Sequence, residues 1–186
     1  MSEERQRFRI HSHITKSSFL HAEDALEIGK IRIFAGHYKD GHAHAMTAHW
    51  VDVTDARVLF SDLAWGKSVD YIEFKGSRRD GEAVSRVLKI RTNDKVWFRL
   101  ERGPGSFMGA GAVKPKGEPE TVVNVPFTTR EARKLAFAVL GFIQAWETTR
   151  LVMGPAIPAK WGPDTNHVPP EEGERAVIYD VQPDEF

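Results

Sequence analysis

The sequence predicts an α+β fold, antiparallel sheets with helices packed on one face. Three observations predict it. Stretches of period-two alternation follow one another, punctuated by the turn dipeptides Asp40-Gly41, Asp80-Gly81 and Asn93-Asp94. Residues 54–65 switch to a helical period. A long helical run from Thr128 to Arg150 then closes the body of the chain.

Taken in order, residues 5–15 alternate enough for a first strand, with Phe8, Ile10 and Ile14 facing one way and Arg7 and Arg9 the other. Residues 16–27 read as a polar connection with a Phe19-Leu20 anchor. Ile28 to Lys39 is a strand with Ile31, Ile33 and Ala35 on one face and Lys30, Arg32, Phe34 and Tyr38 on the other. Asp40-Gly41 is a hairpin signal, and the partner strand runs from His42 to Val53 through Trp50. Ala56, Leu59, Phe60 and Leu63 then fit a helix behind Thr54 as N-cap, ended by Gly66. Val69 to Lys75 is a strand with Ile72 and Phe74 on one face and Tyr71, Glu73 and Lys75 on the other. Val84 to Arg91 follows, with Lys89 and Arg91 on one side. The cleanest alternation is Lys95 to Arg102: Val96, Phe98 and Leu100 inward, Lys95, Trp97, Arg99 and Glu101 outward. Residues 103–120 are a Gly/Pro/Lys loop without the spacing of a phosphate-binding fingerprint.

The final strand leads into the long helix. Thr128 and Glu131 have capping-box spacing. Ala132, Leu135, Ala136, Val139, Leu140, Ile143 and Trp146 form one apolar face, while Phe137, Ala138, Gly141 and Phe142 lie off it. A helix apolar nearly all round needs cover on both sides. No second helix of this length occurs, so a further copy of the chain is expected to supply it.

Residues 1–150 read as the folded domain. Residues 151–186 read as a Pro-rich linker, with Trp161 as a docking point, and an acidic tail. The net charge of zero divides between them: the body carries 24 Lys and Arg against 19 Asp and Glu, the tail 2 against 7. A basic body with an acidic tail points to nucleic-acid contact plus an interaction segment. With no cysteine there is no disulfide framework, thiolate metal site or cysteine nucleophile. The start is too polar for a signal peptide and no apolar run is long enough to span a bilayer, so the expected location is cytoplasmic and no membrane contact is expected.

The strongest chemical pattern is the mixture of cations and rings on outward strand positions: Lys30, Arg32, Phe34, Tyr38, Trp50, Lys75, Lys89, Arg91, Trp97 and Arg99. Unpaired nucleic acid needs that mixture, because cations follow the phosphates and flat rings stack the bases. His42 and His44 share a strand face in a geometry compatible with a metal, but no third ligand follows, and a His-dependent metalloenzyme is the rival of another class. No nucleophile–base arrangement is legible, and neither a cofactor nor a catalytic residue is expected. The terminal Asp184, Glu185 and Phe186 place a ring and a carboxylate where a partner's apolar, Lys/Arg-rimmed pocket could take them.

Three passages resemble the Whirly family of single-stranded-DNA-binding proteins and, more distantly, the mitochondrial guide-RNA-binding proteins of the same fold. They are KIRIFAGHYK with AMTAHWVDVTDARVLFSDL, VDYIEFKGS with VSRVLKIRTNDKVWFRLERG, and VVNVPFTTREARKLAFAVLGFIQAW. The resemblance covers about two thirds of the chain, from Lys30 through Glu147. It implies two tandem units of four strands and a helix, a tetramer built on cross-packed helices, and sheets that hold DNA. The chain departs from the family in lacking its Lys-Gly-Lys-rich first strand. The ending DVQPDEF is similar to the acidic, Phe-ended tails of bacterial and phage single-stranded-DNA-binding proteins, which recruit replication and repair enzymes. The expectation is therefore a sequence-independent single-stranded-DNA-binding protein of replication, recombination or repair. RNA binding or transcriptional regulation on the same fold is the near alternative.

Overall fold

The computed structural model describes residues 7–79, 81–108 and 113–153. Linker, Trp161 and the tail residues Asp184, Glu185 and Phe186 lie outside the described residues, as does Asp80 of the predicted turn. Four strands come first: β1 (Arg9–Ile14), β2 (Ser18–Ala25), β3 (Lys30–Lys39) and β4 (His42–Asp52). Helix α1 (Val53–Ala64) follows. Then come β5 (Asp70–Arg79), β6 (Glu82–Thr92), β7 (Val96–Phe107), the short β8 (Val113–Pro115), β9 (Thr121–Phe127) and helix α2 (Thr129–Met153). β1 to β4 form one antiparallel sheet in sequence order. β5, β6 and β7 form the second, in which β7 pairs with β9 along its first half and with β8 near its end. The fold is α+β, with two antiparallel sheets and two helices.

One core joins all four layers. Leu20, Ile31 and Ile33 come from the first sheet, Leu88, Ile90, Phe98, Leu100, Val123 and Val125 from the second, Leu59, Phe60 and Leu63 from α1, and Leu135, Val139 and Ile143 from α2. The hairpin at Asp40-Gly41 has positive φ at both residues, 52° and 79°, the two-residue turn that matches strand twist. Gly66, at φ 70°, closes α1 as its composition predicts. The capping box of α2 forms in both directions: Thr128 N–H donates to Glu131 Oε2 at 2.8 Å and Glu131 N–H donates to Thr128 Oγ1 at 3.2 Å.

Several expectations need correction. Residues 18–25 are not a connection but strand β2, almost wholly buried. Leu20 and Ala22 pack inward, while Phe19 and His21 are covered on the opposite face by Phe34 and its neighbours. In β1 a bulge between Arg9 and His11 resets the alternation, so Ile10 packs on the core while Ile14 stays exposed. Helix α1 is capped by Asp52 rather than Thr54, without a side-chain bond to the helix. Its carboxylate instead accepts from Lys75 Nζ at Oδ2, at 2.7 Å. The Gly/Pro/Lys segment does not begin at Gly103, because β7 runs on to Phe107.

Candidate nucleic-acid interface

The ten predicted contact residues separate into two faces and one buried position. Lys75 is the buried one. In β5 the face carrying Tyr71, Glu73 and Lys75 turns inward and Ile72 pairs beside Lys89 on the outside, so Lys75 lies opposite to its expected side and is only 8% exposed. It is fixed there by charge. Its ammonium lies 2.9 Å from Glu73 Oε1 as well as bonding Asp52, and His49 Nε2 donates to Glu73 Oε2 at 2.8 Å. Burial works against the Glu73 carboxylate, but His49 and Lys75 outweigh it and hold its pKa below the ordinary value. Burial pushes the His49 imidazole down, which makes it the neutral donor of this bond. Asp52, Asp55 and Glu73 bring carboxylate oxygens within 4.8 Å of one another, a spacing open to a cation. The Lys75 ammonium already serves two of the three. His42 and His44, the sequence's candidates for metal, sit exposed on β4 away from this group.

Lys30, Arg32, Phe34, Tyr38 and Trp50 lie on the outward face of the first sheet. Cross-strand pairing brings Arg32 opposite Trp50 and Glu23, and Lys30 opposite Asp52. This face satisfies itself. Arg32 is ion-paired with Glu23 and lies over the rings of Phe34 (4.6 Å) and Trp50 (5.6 Å). Phe19 packs against both Phe34 and Tyr38, at 5.5 and 5.3 Å between centroids. Lys30 is 3.9 Å from Asp52. The cations here are largely covered and their rings mostly occupied by one another.

Lys89, Arg91, Trp97 and Arg99 lie on the outward face of the second sheet and do come together. Register pairs Arg91 with Trp97 across β6 and β7, and Lys89 with Arg99 in the next row. Trp97 also faces Pro126 of β9, and Arg99 faces Asn124. The four line one open groove of ≈ 540 Å³, together with Asn93 and Asn124. Trp97 is 37% exposed and its ring is available to a ligand. Arg91 donates to Asp70 at 3.0 Å, and Glu101 accepts from Lys89 at 3.1 Å and from Arg99. Burial would raise the Glu101 carboxyl, but Arg99 and Lys89 hold it below the ordinary range. Three cations thus share two carboxylates, and the groove keeps a positive balance. The surface expected as one sheet face is therefore two, on separate sheets, and the second sheet carries the open one.

Asn93 and Asn124 were not singled out from the sequence. Asn93 reads there as a turn residue, and its N–H does donate to Lys95 O at 2.9 Å. Asn124 enters the groove only through the pairing of β9 with β7, which no local pattern announces. Its backbone is pinned from the first sheet: Asn124 N–H donates to His37 Nε2 at 3.3 Å, and His13 Nε2 donates to Pro126 O at 3.0 Å.

No family model matches the chain, and neither a curated protein nor a solved structure does.

Proposed function

We propose that the chain is a non-enzymatic single-stranded-DNA-binding protein that holds the strand on the outward face of its second sheet. The observation that carries this is the open groove in which Trp97 stands among Lys89, Arg91 and Arg99. A ring in a positively balanced groove stacks an unpaired base while the cations take the flanking phosphates. Duplex DNA hides its base faces, so the groove favours unpaired strands. The order β1–β4 and α1, then β5–β9 and α2, supports a layout of two tandem Whirly-like units, the second carrying the short β8 as an extra strand. A role in replication, recombination or repair, with Asp184, Glu185 and Phe186 recruiting partner enzymes, belongs to the same proposal. So does self-assembly into a tetramer through α2.

The test is a titration of a labelled strand of about 30 nucleotides at several salt concentrations, with duplex and RNA of the same sequence alongside. Affinity is expected to fall steeply with salt and to favour the unpaired strand. Trp97→Ala is expected to weaken binding by about tenfold, from the loss of one stacked base at ~1–3 kcal/mol. Lys114→Ala, on an exposed position of β8, leaves it little changed. Equal binding of strand and duplex, or full binding by Trp97→Ala, removes this reading. Tighter binding of RNA moves the assignment to the RNA-binding alternative.

A further inference from the structure

Stacking and phosphate neutralisation account for Trp97 and the three cations, but not for the two amides beside them. Asn124 is half-buried in the wall of the groove and Asn93 stands at its hairpin end. Neither side-chain amide has a hydrogen-bond partner among the described residues. Both amides open onto the groove, so their donors and acceptors are free to meet a ligand lying there. The neighbouring cations donate to Asp70 and Glu101, so their bonds are directed away from both amides.

The sheet geometry says what could satisfy them. Trp97 faces Pro126 directly, which puts Asn124, two residues earlier on β9, at the diagonal position. Diagonal neighbours on a sheet lie ~7–8 Å apart, about the reach of a base lying on the indole. Asn93 follows Arg91 by two residues, past the partner of Trp97 and toward the turn. A base stacked on Trp97 would therefore have an amide off each of two edges.

An amide offers one donor and one acceptor side by side. Adenine presents the complement on both its exposed edges: N6–H beside N7, and N6–H beside N1. Resting on the proposed strand-binding site, we infer that Asn124 and Asn93 read the edge of the base stacked on Trp97, so that the site prefers adenine at that position. The protein then has a base preference superimposed on otherwise sequence-tolerant binding.

The full chain tests it with two labelled 20-mers, oligo-dA and oligo-dT, titrated in parallel against wild type, Trp97→Ala, Asn124→Thr and Asn93→Ala plus Asn124→Thr. The readout is the ratio of the two affinities, and the change in that ratio on substitution cancels the intrinsic stiffness of each polymer. Threonine keeps strand propensity and the Asn124 backbone N–H, and a circular dichroism melt verifies folding. The double variant is expected to lower the dA/dT affinity ratio about fivefold or more, because only adenine offers the complementary pair on two edges. Trp97→Ala should weaken both oligonucleotides. An unchanged ratio in a folded double variant overturns the inference while Trp97→Ala still upholds the site. Equal weakening of dA and dT by the double variant also overturns it, since the amides would then serve the backbone. Retention of both affinities in Trp97→Ala overturns the site itself.

Discussion

His49 illustrates how a single side chain ties the two sheets together. It belongs to β4, its acceptor Glu73 belongs to β5, and both are 1% exposed. Burial lowers the imidazole pKa, Lys75 and Arg86 lower it further, and Glu73 opposes them without reversing the direction. The folded protein therefore binds fewer protons at this position than the unfolded chain does below its ordinary value near ~6.5. Stability contributed here is present above that value and is lost as pH falls through the depressed one. Glu73, also held below its ordinary range, adds a loss further down the acid side. The melting temperature is thus expected to fall between pH 7 and pH 5. His49→Gln, which keeps a donor for Glu73, should melt lower at pH 7 by about 1 kcal/mol of stability. Its profile should also be flatter on the acid side. It will not be level, because burial also holds His11 and His21 down. Parallel profiles for the two proteins would mean that His49 does not carry the acid sensitivity.

At the scale of elements, the sequence declares what depends on neighbours and conceals what depends on distant partners. Helix α2 was legible because capping box and apolar period are local, and β7 because Val96, Phe98 and Leu100 alternate without interruption. The inward face of β5 was not legible. Ile72 and Phe74 are the apolar pair, yet Glu73 and Lys75 point in, which is tolerable only because His49 and Asp52 meet them from elsewhere in the chain. For the same reason the groove was half read: its cations and Trp97 alternate visibly, while Asn124 depends on register. The position of β8 is another such case, and it rests on two glycines. A Cβ at Gly76 of β5 would stand 2.1 Å from Val113 Cβ, and one at Gly105 of β7 would stand 2.4 Å from Val113 Cγ1. The Val113 side chain occupies the space both glycines leave, and it is buried. Gly105→Ala, whose Cβ would meet a Val113 Cγ, is expected to destabilise the protein by ~1–3 kcal/mol through overpacking. Adding Val113→Ala should recover part of that loss, a coupling that a double-mutant cycle in urea will read. Additive effects would show that β8 is not held by this contact.

For the whole molecule, the outward side of α2 decides whether one chain is complete by itself. The helix buries Ala132, Leu135, Ala136, Val139 and Ile143. Phe142 is covered by Phe8, with ring centroids 5.4 Å apart. Phe137 has no such cover: it is 58% exposed, and a Cβ added at Gly141, one turn on, would meet nothing within 4 Å. An exposed phenylalanine beside a small residue is shaped to admit another helix closely. Arg57 of α1 pairs with Glu147, so α1 lies along a different side of α2 and leaves this strip open. In light scattering after gel filtration, the wild-type chain of 21.0 kDa is expected to run as an oligomer, the tetramer of the proposed reading. Phe137→Glu should shift the mass toward the monomer with the circular dichroism spectrum unchanged, since the position is outside the core. Linked copies also act on one long strand together, so Phe137→Glu should weaken binding of a 60-nucleotide strand far more than binding of a short one. A wild-type mass of one chain would remove self-assembly and leave the groove of the second sheet to act alone. An oligomer untouched by Phe137→Glu would place the contact on another surface.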